Sequence, residues 1–470
     1  MYSSIWLILL AVYYTIAISI IWKQQKKPNS LVQFYIPILL IPFLWILIWI
    51  LLGNDRSWTR VDHKNDYFER YKEKFVSWWD KHSIKWAFDS LRNAKAYLVN
   101  SNESYPLIVQ SVRYLYNGES MFPTLVELIQ LAKNHLHMEF FDIGVDESTK
   151  AILNEIGNAV NRGVTVRVLI DDIGSEDASA SKKVLEQLWA EVVIFSPARF
   201  MRLRKINFRD HRKIVVVDWT SAIIWWINLS KVYDNAANAV YRRDSACLVT
   251  WDRVRLAQAE FMSMWSFVTG THIWYTDELF PVQPTNKSET YWMFVSSMPL
   301  SGAPHVMNTI LCAFESACKR LDIVTPYFSP SREFLKSLEI ASHRGVCVRL
   351  IVPQTPDYKA TEYMNRSFYA MLLAMGVEVY EYTKGVIHSK IIIVDNHITM
   401  MGSANFNVRS FYLNAECMGL FDSESFTTEM RGVFENDLAD CERVTQEYID
   451  SWSLPNRMLQ WASRALRPIL

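Results

Sequence analysis

Two stretches of this chain are copies of one pattern. His211-Arg-Lys-Ile-Val-Val-Val-Asp218 matches His388-Ser-Lys-Ile-Ile-Ile-Val-Asp395, 177 residues further on, and the same offset carries Asn228 onto Asn405. The surroundings repeat as well: Asn161-Arg-Gly-Val-Thr-Val-Arg-Val-Leu-Ile170 has its counterpart in His343-Arg-Gly-Val-Cys-Val-Arg-Leu-Ile-Val352. Each of these follows a helix-like stretch and ends in a β-branched run suited to a buried strand. Helices alternating with apolar strands, twice over, restrict the chain to two α/β halves with helices packed on sheets. With 470 residues there is enough chain for two or three sizeable cores.

The repeated pattern carries chemistry. On a strand, residues i and i+2 share a face. His211 and Lys213 therefore point the same way, as do His388 and Lys390, while Asp218 and Asp395 fall at the turn that ends each strand. A lone His-x-Lys means nothing, but two copies at matched spacing, each followed ten residues after its Asp by an Asn, are a strong signal. If the halves pack about a two-fold axis, two His, two Lys and two Asn converge. The lysines and asparagines then offer donors for the non-bridging oxygens of a phosphodiester, and the imidazoles offer one nucleophile and one general acid. Zinc ligation is the competing reading of the histidines and aspartates. Lysine competes with a dication for the same space, so neither a metal nor a cofactor is expected.

The first 52 residues bear on location. Ser4 to Trp22 is uncharged, Lys23-Gln-Gln-Lys-Lys27 follows, and Leu31 to Leu52 is a second uncharged run. A spanning helix needs about 20 apolar residues, so spans at about 4–22 and 31–52 predict a transmembrane hairpin over 1–52. A cleaved signal peptide fits the first run poorly, because a basic start and a small-x-small cleavage site are missing. Arg56, Arg60, Lys64, Arg70, Lys72 and Lys74 after the second span favour a cytoplasmic catalytic domain, while the basic loop favours the opposite. Residues 53–105 read as a linker or juxtamembrane region.

The second motif continues into Gly402, Ser403 and Asn405, and with it the sequence resembles the phospholipase D superfamily, whose mark is His-x-Lys-x4-Asp followed by Gly-Ser-x-Asn or Gly-Gly-x-Asn. More narrowly it is similar to bacterial cardiolipin synthases, through Asn207-Phe-Arg-Asp-His-Arg-Lys213, Thr325-Pro-Tyr-Phe328 and Val408-Arg-Ser-Phe-Tyr-Leu-Asn-Ala-Glu416. The resemblance implies two phospholipase D-like α/β halves, 106–285 and 286–450, in a pseudo-two-fold arrangement behind the hairpin. It implies catalytic residues His211, Lys213, Asp218, His388, Lys390 and Asp395, with His211 as nucleophile and His388 as acid and base, although the two motif aspartates at their turns suit a structural role. Asn228, Asn405 and Ser403 are implied at the phosphate. Asp244 and Glu416 match the acidic residues that orient the histidines. The implied reaction moves a phosphatidyl group to phosphatidylglycerol through a phosphohistidine, making cardiolipin and releasing glycerol in a bacterial cell membrane.

Composition and surface pattern support an anionic phospholipid partner. Lys+Arg and Asp+Glu both number 49, which argues against nucleic acid. The stretch Arg199, Arg202, Arg204, Lys205, Arg209, Arg212 and Lys213, interleaved with apolar residues, is expected to draw anionic headgroups. In the tail 451–470, Met458, Leu459, Trp461, Ala462, Ala465, Leu466 and Ile469 recur at helical spacing among Arg457, Arg464 and Arg467. That fits either a helix lying in the membrane interface or an amphipathic helix packed on the domain. The competing functions are a membrane phospholipase D that uses water or another alcohol, a nuclease of the same superfamily, and a catalytically dead membrane protein.

The last of these has a reason. The chain has 14 Gly and 18 Trp, where average usage of about 7% would give roughly 33 Gly. Trp225, Trp226 and Trp189 fall on Gly402, Ser403 and Gly376 in the repeat, Trp219 falls on the turn residue Asn396, and Trp251 stands where the synthases usually have Gly. Positive φ or close backbone approach makes a side chain costly at such sites. A gene from a lineage that reads UGA as glycine, translated with UGA as Trp, predicts this pattern; UGG codons at 189, 219, 225, 226 and 251 would exclude it. The six cysteines form no Cys-x-x-Cys pair and are expected as buried free thiols.

Overall fold

A computed structural model describes residues 92–464, apart from 102–103, 105–106, 110, 176, 196–207, 226, 251–253, 272–289 and 300–302. The expected hairpin, the linker up to residue 91, Arg199 to Lys205, Trp226 and Trp251 lie outside the described residues. No helix among the described residues is long and apolar enough to cross a membrane.

The chain begins with α1 (Arg92–Asn100), β1 (Leu107–Ile108), β2 (Ser111–Tyr116), α2 (Asn117–Leu131), β3 (His135–Phe140), α3 (Lys150–Asn161), β4 (Thr165–Asp171), α4 (Ala178–Gln187) and β5 (Glu191–Phe195). It continues with β6 (Arg209–Asp210), β7 (Ile214–Val217), β8 (Ser221–Trp225), β9 (Arg242–Arg243), β10 (Ser245–Thr250) and α5 (Arg255–Thr269). The second half runs through β11 (Tyr291–Ser297), α6 (His305–Ser316), β12 (Arg320–Val324), β13 (Phe328–Ser329), α7 (Arg332–His343), β14 (Cys347–Pro353), α8 (Lys359–Arg366), α9 (Tyr369–Ala374) and β15 (Glu378–Tyr382). It ends with β16 (Val386–Ile387), β17 (Ile391–Val394), β18 (Ile398–Gly402), β19 (Phe406–Asn407), α10 (Val408–Tyr412), β20 (Asn414–Asp422), α11 (Glu424–Ala439), β21 (Cys441–Arg443), α12 (Gln446–Asp450) and α13 (Leu454–Ser463).

The repeat in sequence is a repeat in topology. One sheet has the order β2-β10-β8-β7-β3-β4-β5, and the other contains β11-β20-β18-β17-β12-β14-β15. The motif strands β7 and β17 occupy the same central place in each, antiparallel to β3 and β12. Their alternation decides the layering. Ile214 and Val216 share one core with Ile391 and Ile393, so the two sheets face each other. Val215 and Val217 pack toward the helices of the first half, and Ile392 and Val394 toward those of the second. Every residue of the Ile-Val-Val-Val run is buried on one side or the other, which is why the run is uniformly apolar.

The boundary between the halves differs from expectation. Leu107 and Ile108, placed by sequence in the first half, pair with Trp292 and Tyr291 in the second sheet. Ala94 and Leu98, one helical turn apart on α1, join the second core. The physical reason is that an apolar stripe so short must be buried on a neighbour, and α6 supplies it. The cysteines also differ in part: Cys247 and Cys417 are buried, whereas Cys318 and Cys347 are exposed.

Two tryptophans occupy left-handed backbone. Trp189 follows α4 with φ of 65°, and its counterpart Gly376 has φ of 81°. The helix ends match in detail, for Trp189 N donates to Glu186 O and Ala190 N to Leu185 O, as Gly376 N does to Leu373 O and Val377 N to Leu372 O. The other matched pair of helix ends, after α3 and α7, uses Gly163 and Gly345 at φ of 89° and 86°. Asp218 and Trp219 have φ of 49° and 52°, the two central residues of a turn closed by Thr220 N donating to Val217 O. Such a turn favours Asp-Gly. Trp189 is 84% exposed, so little packing offsets its backbone. Trp189→Gly is therefore expected to stabilise the fold by about 1 kcal/mol, and Trp219→Gly by less, because its half-buried indole lies 5.1 Å from the His135 ring. Urea unfolding of the full chain checks both; a loss of stability in each would show that the indoles belong there.

Candidate active site

The histidines are held by exchange between the halves. β6, immediately before His211, pairs in parallel with Asn414 and Ala415 at the start of β20, and His211 N donates to Ala415 O at 3.0 Å. The next residue on β20 is Glu416, whose Oε2 lies 3.0 Å from His211 Nδ1. The other side mirrors this. β16, immediately before His388, pairs in parallel with β9, and His388 N donates to Arg243 O at 2.8 Å. Asp244 follows, with Oδ2 2.8 Å from His388 Nδ1. Each imidazole thus takes its carboxylate from the opposite half. A carboxylate on Nδ1 fixes Nδ1–H, which leaves Nε2 with its lone pair.

The two Nε2 atoms have different company. Lys390 Nζ donates to His388 Nε2 at 2.9 Å and to His388 O at 2.6 Å. Burial, reinforced by the Lys390 charge, pushes the His388 imidazole down to about 4. Lys213 Nζ instead donates to His211 O at 2.8 Å and lies 5.0 Å over the Phe141 ring. The His211 ring itself meets the Glu416 carboxylate and the edge of Phe141, at a ring distance of 4.9 Å. Burial also lowers the His211 imidazole. Both lysines are fully buried, and burial lowers Lys213 to about 8 and Lys390 to about 7. The Lys390 charge acts on His211, and the Lys213 charge on Lys390; the two motifs share one centre.

The remaining expected residues divide. Asn228 and Asn405 are buried, and their Oδ1 atoms have no hydrogen-bond partner among the described residues; Asn228 Nδ2 donates to Tyr233 Oη at 3.1 Å. Ser403, expected at the phosphate, is a correction. It donates to Glu416 Oε2 at 2.5 Å and accepts from Cys417 N at 2.9 Å, so it braces the carboxylate behind His211. Asp218 and Asp395, grouped with the catalytic residues by their motif, sit at the far ends of β7 and β17. Asp218 accepts from the amides of Lys133, Asn134 and His135 at 2.6, 2.7 and 2.8 Å. Asp395 accepts from those of Cys318, Lys319 and Arg320, each at 2.8 Å. Both carboxylates hold a chain reversal, as the turn position suggests.

Arg209 and Arg212, expected in a surface stretch that attracts headgroups, are buried. Arg209 pairs with Asp171 at 3.3 Å. Arg212 pairs with Glu139 at 2.8 Å, Asp210 at 3.0 Å and Glu260. A buried guanidinium needs such partners, so these two cations brace β6. Sequence reasoning also missed the wall beside His388. Tyr233 and Tyr327 lie 5.9 and 6.2 Å from its ring. Arg242 forks onto Asp357 at 2.6 and 3.2 Å, and Tyr327 Oη donates to the same carboxylate at 3.1 Å. Asp357 comes from the loop after β14, which no motif marks.

Residues 125–265 and 310–438, one segment in each half, match the family described as cardiolipin synthase, PLD-like domain. The chain belongs to that family. It is 32% identical over 367 residues to "Cardiolipin synthase 2" of Bacillus cereus, covering 76% of this chain and 70% of the relative. It is 27% identical over 460 residues to a cardiolipin synthase of Geobacillus sp., covering 96% of this chain and 91% of the relative. Among solved structures, a phosphatidylserine synthase of Haemophilus influenzae superposes with a TM-score of 0.61 at 18% identity, covering 80% of this chain and all of that one; this likeness concerns the fold. As a member of the cardiolipin synthase family, the chain is an enzyme of the phosphatidyltransferase class.

Proposed function

We propose that this enzyme is a membrane-bound synthase of cardiolipin, joining two phosphatidylglycerol molecules and releasing glycerol. The observation that carries the reading is the single buried centre with two carboxylate-held imidazoles, of which His211 alone keeps Nε2 clear of a lysine. His211 Nε2 attacks phosphorus, and the bond from phosphorus to the glycerol oxygen breaks. His388, protonated once substrate is bound, gives its proton to that oxygen. The bound phosphodiester supplies this proton affinity, because its charge draws Lys390 Nζ off His388 Nε2. His388 then takes the proton of the incoming hydroxyl, which attacks phosphorus and restores His211. Lys213, Lys390, Asn228 and Asn405 stabilise the charge on the non-bridging oxygens. The apolar runs 4–22 and 31–52 anchor the chain in a bacterial cell membrane, with the catalytic halves on the cytoplasmic side.

Full-length protein supplied with phosphatidylglycerol vesicles should yield cardiolipin and free glycerol in equal amounts by mass spectrometry. Phosphatidic acid without cardiolipin would sink this acceptor and point to water. A second reading, an impaired relative, is favoured by the left-handed Trp189 and Trp219; it predicts no product until glycine is restored at 189, 219, 225 and 226.

The lysines give a pH dependence. With folded values of about 7 for Lys390 and about 8 for Lys213, the free enzyme loses positive charge as pH rises through that range. The ratio kcat/KM is expected to fall above about pH 7. Arginine does not lose its proton there, so Lys390→Arg should move that alkaline limb upward by about one pH unit or more, whatever it does to the maximal rate. An unmoved limb would assign the fall to another group.

A further inference from the structure

Helix α13 is mounted inside out. Its polar Gln460 and Ser463 are buried, while Leu454, Met458, Leu459 and Trp461 are 71, 63, 47 and 77% exposed. The helix packs on α8 and is tied down by polar groups. Arg464 donates to Ser367 O and stacks 5.3 Å over Phe368, and Arg457 donates to Asp450 O at 2.9 Å. A helix that merely completes a globular domain turns its apolar stripe inward. Here Leu454, Met458 and Trp461 follow one another at steps of four and three residues, on one face, pointing away from the protein.

We infer that this face is a second membrane contact, lying in the headgroup region of an anionic bilayer. Two observations select the bilayer over a protein partner. From Ser451 to Leu470 the chain carries Arg457, Arg464 and Arg467 and no acidic residue, Asp450 just before it standing 3.9 Å from Arg457, and the cationic balance that is left suits anionic lipid. Four side chains on a helix of ten residues also fall short of the roughly 800 Å² per partner that a stable protein pair buries, whereas an interfacial helix needs only to sink its apolar side chains, with Trp favoured at that depth. The inference rests on the reading that the enzyme works at a membrane. It adds that α13, fixed rigidly to α8, sets how the second half sits on the lipid surface.

The test uses full-length protein carrying Cys318→Ser and Cys347→Ser, reconstituted in vesicles of phosphatidylglycerol and phosphatidylcholine or of phosphatidylcholine alone. Nitroxide is placed at Met458→Cys, Trp461→Cys or Asn456→Cys, the last exposed to solvent but on the side of the helix that carries the buried Gln460 and Ser463. Collision with lipid-soluble oxygen and with a water-soluble nickel chelate reads depth. In the anionic vesicles, positions 458 and 461 should favour oxygen over nickel at least threefold more than position 456. Equal nickel access at all three positions, or equal depth without the anionic lipid, would overturn the inference. Shielding from both reagents, together with cross-linked dimers, would also overturn it and assign the face to a second copy. These outcomes need no turnover, so an inactive enzyme and an undocked helix give different results. A Met458→Ser/Trp461→Ser variant of unchanged thermal unfolding should lose transfer from bilayer lipid several-fold and keep it with a short-chain, monomeric phosphatidylglycerol.

Discussion

His211→Ala is expected to lower turnover by roughly 10⁴-fold or more, and His388→Ala by a comparable factor with glycerol as leaving group. A substrate with a p-nitrophenolate leaving group separates the two roles. That leaving group departs without a proton, so a His388→Ala enzyme should still release one equivalent of it in a burst and retain a phosphoryl group on His211. The His211→Ala enzyme should give neither burst nor label. The reverse pattern would exchange the roles of the two histidines. The assignment follows from geometry: Lys390 Nζ sits 2.9 Å from His388 Nε2, and Lys213 donates to a carbonyl instead of to the His211 ring.

Asp218→Ala and Asp395→Ala should act on stability and leave the chemistry alone. Each removes one carboxylate that serves three backbone amides. A hydrogen bond to a charged group contributes about 1.5–3 kcal/mol, and a stranded buried donor costs about 1–3 kcal/mol. The loops of Cys318 and Lys319 are open to water, which softens the loss, so about 3 kcal/mol per site is expected. Asparagine keeps one acceptor oxygen and should cost about half of that. Urea unfolding gives the stability, and a burst titration gives the rate per folded molecule. A rate per folded molecule that dropped by more than tenfold would return the aspartates to the reaction.

Much of this molecule was legible in its sequence, and the reasons differ by residue. The Ile-Val-Val-Val and Ile-Ile-Ile-Val runs declared buried central strands because both of their faces are covered, whereas His211 and Lys213 precede the strand that begins at Ile214, so strand period did not place them. The turn role of the motif aspartates followed from position. The partners of the histidines were legible as residues but not as an exchange: Asp244 and Glu416 each follow one motif and serve the other, a fact that depends on β9 and β6 crossing between sheets. Ser403 misled because its motif reads as one phosphate-binding run, while its own hydroxyl turns back toward Glu416. Arg209 and Arg212 misled because a run of cations reads as surface until the buried carboxylates from β3, β4 and α5 are in place. Asp357 left no trace, since only the folded loop brings it to Tyr327 and Arg242.

The crossed carboxylates also set a clock on the ribosome. His211 is made 205 residues before the Glu416 that holds it. At about 5–20 residues per second, the nascent first half waits roughly 10–40 s, with its imidazole unoriented and the second motif unmade. For that whole interval the chain carries its first histidine without the carboxylate that orients it. A truncated product of either half therefore keeps one motif whose histidine has no carboxylate to orient it, because each carboxylate comes from the other half.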